Sequence, residues 1–154
     1  MFPKSHIILG FIFSLILLLL FPLISWTGFL IIFASSVLID VDHYLFYVFI
    51  KKNWSLKNAY NWFSIRAKRF EFLPKPERKK KAKSCPCIFH GIEAIIILIL
   101  LSFYHKFFLY ILIGFVFHEI LDLIKILNDQ YDLNHIGSQI FNILKFVRAY
   151  RKIT

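Results

Sequence analysis

Three short runs carry the residues able to do chemistry: Asp40-Val41-Asp42-His43, His90-Gly91-Ile92-Glu93 and His118-Glu119-Ile120-Leu121-Asp122, with His6 near the start of the chain. On a helix, Asp40 and His43 stand three positions apart, His90 and Glu93 three, and His118 and Asp122 four, so each pair shares a face. Mixed imidazole and carboxylate ligands suit zinc, and also manganese or iron. Acids with a histidine three or four positions away are how helical bundles build two-metal sites. The candidate metal ligands are therefore His6, Asp40, Asp42, His43, His90, Glu93, His118 and Asp122, enough for one or two divalent ions, zinc foremost. Asp42 and Glu119 are rotated from their neighbours by about 160–200° and about 100°, and are assigned the catalytic work. A metal pair that activates a water and holds a phosphoryl oxygen points to phosphoester hydrolysis.

The elements that must position these groups are apolar. The chain of 154 residues is 58% hydrophobic with 19 phenylalanines, which places it outside the soluble globular norm and in the membrane class, as one integral membrane domain. Residues 7–50 are too long for one span of about 20 residues and right for two, with Pro22 and the Ser25-Trp26-Thr27-Gly28 run as the break. The expected architecture is an all-α, four-helix transmembrane bundle with spans near 5–21, 26–50, 88–104 and 107–127. A basic loop covers 51–87 and a tail covers 128–154. Five of the nine carboxylates, Asp40, Asp42, Glu93, Glu119 and Asp122, fall inside these spans, at a cost of about 2.5–3.5 kcal/mol each at mid-membrane.

Orientation follows from charge. Twelve of the 19 Lys and Arg residues lie between Lys51 and Lys83, and Lys4, Lys145, Arg148, Arg151 and Lys152 flank the two ends. Basic segments stay on the cytoplasmic side, so both termini and the 51–87 loop are expected there, leaving Lys106 opposite. Measured from that side at about 1.5 Å per residue, every candidate ligand falls in the cytoplasmic half, His43 and Asp40 about 10 and 15 Å deep and His118 about 14 Å. His6 and His90 are shallower, so meeting Asp40 requires a tilt or an unwound turn. His105 lies on the wrong side, and His135 belongs to the tail.

The net charge of +10 sits in one loop, which argues against nucleic acid. Within it, Leu56, Ala59, Tyr60, Phe63, Ala67 and Phe70 recur at helical spacing after Ser55, a natural N-cap. This predicts an interfacial amphipathic helix, and Arg78-Lys79-Lys80-Lys81 adds attraction to anionic lipid headgroups. A second amphipathic helix is expected through Ile140, Ile143, Leu144 and Val147. The Cys85-Pro86-Cys87 triplet is too small for a disulfide framework or a structural zinc site and is assigned no role.

The order of these motifs resembles the membrane-bound metal-dependent hydrolase family, also called the YdjM or DUF457-like family. The likeness consists of His6 followed by Gly10, a small-residue approach from Ser35 to Asp40-x-Asp42-His43, His90-Gly91 opening the third span, and His118-x-x-x-Asp122 in the fourth. The resemblance implies a distant likeness to zinc-dependent phospholipase C and P1 nuclease, with Asp40, Asp42, His43, His118, Asp122 and His6 as metal ligands and hydrolysis as the activity. The chain departs from the family pattern at Ile39, where a proline is usual, and around Phe89–Ala94, which lacks an Arg and a second His. Glu93 is the replacement ligand there.

Two other classes fit the same residues. Intramembrane acids and histidines also line the paths of proton or metal carriers, and a catalytically degenerate member would retain only a lipid-tethering basic loop.

Overall fold

The computed structural model describes residues 3–81, 87–129 and 137–150. They are helical, with no strand among them. Cys85, Pro86, Asp132 and His135 lie outside the described residues. Helix α1 spans Pro3–Leu20, α2 Trp26–Leu38, α3 Val41–Lys51, α4 Leu56–Glu71, α5 Lys75–Lys81, α6 Ile92–Tyr104, α7 Lys106–Asp129 and α8 Gln139–Tyr150. A short 3-10 turn, Ile88–His90, precedes α6.

The first hairpin forms where expected. Ser25 caps α2 by accepting from the Gly28 amide at 3.2 Å, after the Phe21–Ile24 turn. Short connections make α1 and α2, and likewise α6 and α7, antiparallel neighbours. Helix α2 packs on both α1 and α7, and α6 lies along α7. Small residues set these distances. A Cβ on Gly114 would overlap Ser35 Oγ and the Ile32 carbonyl oxygen, and one on Gly10 would overlap Ser36 Oγ. Backbones approach this closely only where side chains are nearly absent.

Two of the expected spans change shape. The segment 26–50 is not one continuous helix: α2 ends at Leu38, Ile39 and Asp40 form a turn, and α3 begins at Val41. Amide-to-carbonyl bonds of the i to i−3 kind, Asp42 to Ile39 at 3.3 Å and His43 to Asp40 at 3.1 Å, tighten the backbone there. The segment 88–104 is α-helical only from Ile92, because Gly91 adopts an extended conformation (φ −115°, ψ 154°).

Trp26–Lys51 and Lys106–Asp129 are long and apolar enough to cross a membrane, while Lys4–Leu20 and Ile92–Tyr104 are apolar but shorter. At 1.5 Å per residue α6 rises about 20 Å, against a hydrocarbon core of about 30 Å.

Both amphipathic helices are present. Ser55 caps α4 through the Asn58 amide at 3.3 Å. Part of the apolar face of α4 is spent on protein, since Ala59 is buried with Tyr47 and Val48 of α3, and Trp62 and Phe63 pack against them.

Candidate metal centre

Four segments bring their polar residues to one end of the helix cluster: the first turns of α1, the α2–α3 turn, the 3-10 turn before α6, and the second half of α7. Tyr110, near the start of α7, touches Gly28 and reaches the Leu23 carbonyl. The start of α7 therefore lies by the α1–α2 loop, and its later turns reach the beginning of α1. There the imidazoles of His6 and His118 stack with centroids 4.0 Å apart.

At the centre stands Asp40. Its Oδ1 lies 3.6 Å from the Nε2 atoms of His43, His90 and His118 alike. Asp122 closes the group from α7, with Oδ2 at 3.8 Å from His118 Nε2 and 3.9 Å from His90 Nε2. Its other oxygen, Oδ1, lies 3.2 Å from His6 Nε2. Three overlapping groups of potential ligands result among the described residues: Asp40 with His90 and His118, His6 with His118 and Asp122, and Asp42 with His43, Cys87 and His90. His6, His90, His118 and Asp122 are buried, whereas the side chains of Asp40 and His43 keep 18% and 25% of their surface exposed. The cluster thus opens on the Asp40–His43 side.

The opposite nitrogens explain why the rings point inward. His118 Nδ1 is 2.8 Å from the Ser36 carbonyl, which can only accept, so Nδ1 carries the proton and donates it. In the neutral ring Nε2 then presents a lone pair to Asp40 and Asp122. His90 Nδ1 is 3.0 Å from Asp42 Oδ2, which also accepts the Phe89 amide at 3.0 Å, and His43 Nδ1 is 2.9 Å from Cys87 Sγ. A bond on the far nitrogen that fixes tautomer and orientation is how metal-ligating histidines are held.

Lone pairs and carboxylate oxygens facing one another across 3.6–3.9 Å repel unless a positive charge lies between them. Buried His6 and His118 Nε2 make no hydrogen bond, a costly state for buried polar atoms. A tetrahedral ion with ligand distances of about 2.0–2.1 Å holds its ligands about 3.3–3.4 Å apart, close to the observed separations. Buried His, Asp and Cys side chains of this geometry can hold a metal ion. His90 faces the carboxylates of Asp40 and Asp42, and the negative field of the two acids favours a cation there.

One candidate residue takes another place: Glu93 is not in the cluster. Its carboxylate accepts from Ser138 Oγ, from the Gln139 amide at 3.1 Å and from the Ile140 amide at 3.4 Å, capping the start of α8. Asp42, rotated away in a continuous helix, is buried behind His90 because of the turn at Ile39–Asp40. Glu119 is buried with neither oxygen hydrogen-bonded, and it interacts electrostatically with His90, Asp122, Asp42 and Asp40. Sequence reasoning missed Cys87, whose position three residues before His90, within the same turn, was the available signal.

The chain has no significant match among family models, curated proteins or solved structures.

Proposed function

We propose that this chain is a membrane-embedded, metal-dependent hydrolase of phosphoesters carried by lipids or lipid-linked groups, working at the cytoplasmic face. The observation that carries the reading is the convergence of three imidazole Nε2 atoms on Asp40 Oδ1, with Asp122 behind them. In this reading α1, α2–α3, α6 and α7 cross the bilayer, the two short helices being accommodated by local thinning of the bilayer. Both termini and the 51–87 loop lie in the cytoplasm. The distribution of polarity supports it: the interior holds His6, Ser14, Ser36, His118, Glu119 and Asp122, while Ile, Leu and Phe residues of α1, α6 and α7 face outward. Lipid as solvent favours that inversion.

Asp40, His90, His118 and Asp122 would hold a divalent transition metal, zinc foremost. His6 and the second oxygen of Asp122 would extend the set to another ion. Such an ion supplies Lewis acidity and an activated water. Asp42 and the Ser36 carbonyl orient His90 and His118. Glu119, buried without a hydrogen bond and in the field of His90 and Asp122, would accept and return a proton. The exposed edge at Asp40 and His43 is the approach for substrate. There Phe63 of α4 meets His43, with ring centroids 5.7 Å apart, and α4 also carries Lys57, Arg66, Lys68 and Arg69, which draw an anionic headgroup to that edge.

The test is hydrolysis of phosphoester lipids by the purified protein in mixed micelles. The expected result is chelator-sensitive turnover that falls at least 100-fold in Asp122→Ala. Turnover unchanged in that variant contradicts the reading, and metal uptake into sealed vesicles without hydrolysis replaces it with a carrier.

A further inference from the structure

Cys87, which the metal cluster does not use, is fully buried. Its Sγ lies 2.9 Å from His43 Nδ1, and with Asp42 and His90 it belongs to a group whose ligand atoms all lie within 4.8 Å of one another. An independent observation comes from Asp42. Its Oδ2 is engaged by the Phe89 amide and by His90 Nδ1, but Oδ1 is buried without a hydrogen-bond partner. A buried carboxylate oxygen left in that state is costly, and a cation beside it removes the cost.

We infer that Cys87 Sγ, His43 Nδ1 and an Asp42 carboxylate oxygen form a second, thiolate-containing site for a borderline-soft divalent ion such as zinc, separate from the Asp40–His118 cluster. The donor set is chemically consistent. Thiolate with imidazole selects zinc over magnesium or calcium, three protein ligands leave a fourth position for water, and deprotonation of the thiol accompanies binding. His90 stays with the neighbouring cluster through Nε2 and keeps Nδ1–H on Asp42 Oδ2. Metal at His43 Nδ1 places the ring proton on Nε2, facing Asp40. The ion would fasten the end of the basic loop to α3 and so fix the turn that carries His90. This inference does not depend on the phosphoester reading.

The experiment uses full-length protein in detergent on a Cys85→Ser background, where Cys87 is the sole thiol, loaded with cobalt(II) or zinc. A thiolate-to-cobalt charge-transfer band in the near ultraviolet is expected. Cys87→Ser should lose the band and one equivalent of zinc, while an Asp40→Ala/His118→Ala variant should retain the band. Cobalt-loaded protein without the band, or Cys87→Ser with undiminished zinc, would show that Cys87 only hydrogen-bonds His43. Loss of the band in a folded Asp40→Ala/His118→Ala protein would merge the two sites into one and likewise overturn the inference. Because the band in the Cys85→Ser protein is assignable to Cys87 alone, the result stands even if Cys87→Ser fails to fold.

Discussion

At the scale of the residue, His118 and Asp40 define the centre because each makes contacts that no single helix supplies. His118 is held from α2 through Ser36, stacks on His6 of α1 and faces Asp122 on its own helix. Asp40 is shared by three imidazoles. Glu119 differs, being buried but without a hydrogen bond. Glu119→Gln keeps its shape, so it should leave bound metal unchanged and reduce turnover by about 100- to 10,000-fold, the range for a lost acid–base group. Loss of metal in that variant would instead make Glu119 a ligand. Much of this cluster was legible in the sequence, since the three- and four-residue spacings and the shared depth brought His6, Asp40, His43, His90, His118 and Asp122 together. Asp42 and Cys87 were not legible as partners of the rings, because their roles depend on which nitrogen of His90 and His43 each one meets.

At the scale of the element, the turn at Ile39–Asp40 and the 3-10 turn at Ile88–His90 bring Asp40 and His90 together. Rise per residue calls for a tilt or an unwound turn, but does not choose between them or place the turn, since Ile39 and Asp40 lack the Pro or Gly that marks a break. Glu93 was misread for a different reason: its partners Ser138 and Gln139 are 45 and 46 residues away, and no local pattern announces a cap supplied across the chain. Glu93→Ala should therefore leave metal content intact, destabilise the docking of α8 by about 1 kcal/mol, as for a lost cap, and speed limited proteolysis near Ser138. A drop in bound metal would contradict that assignment. Gly114 sets the α2–α7 distance one turn before His118. Gly114→Ala should cost about 1–3 kcal/mol by overpacking, lower the melting temperature in detergent and loosen metal by moving Ser36 from His118. An unchanged melting temperature would show that the helices separate freely.

At the scale of the molecule, polar groups share the interior with a few apolar ones such as Phe29, Ile32 and Phe115, many large apolar side chains face outward, and cations concentrate in the loop and near the ends. Helical class, the two long apolar segments and the basic loop were legible because composition and period determine them. The shortness of α6 was not, since Gly91 breaks the helix after His90 within an otherwise apolar run. Reporter fusions at the N-terminus, within residues 75–83 and at the C-terminus should all report the cytoplasm, and a reporter at His105 the opposite side; any one of the three basic segments found outside would overturn the orientation. The central claim is that the converging imidazoles and carboxylates enclose a metal ion. Elemental mass spectrometry of the detergent-purified protein beside the Asp40→Ala/His118→Ala variant tests it most directly. One or more equivalents of a transition metal, reduced by at least one in a variant that remains helical, is the predicted result. No metal in the wild type after reconstitution with zinc and manganese would contradict it.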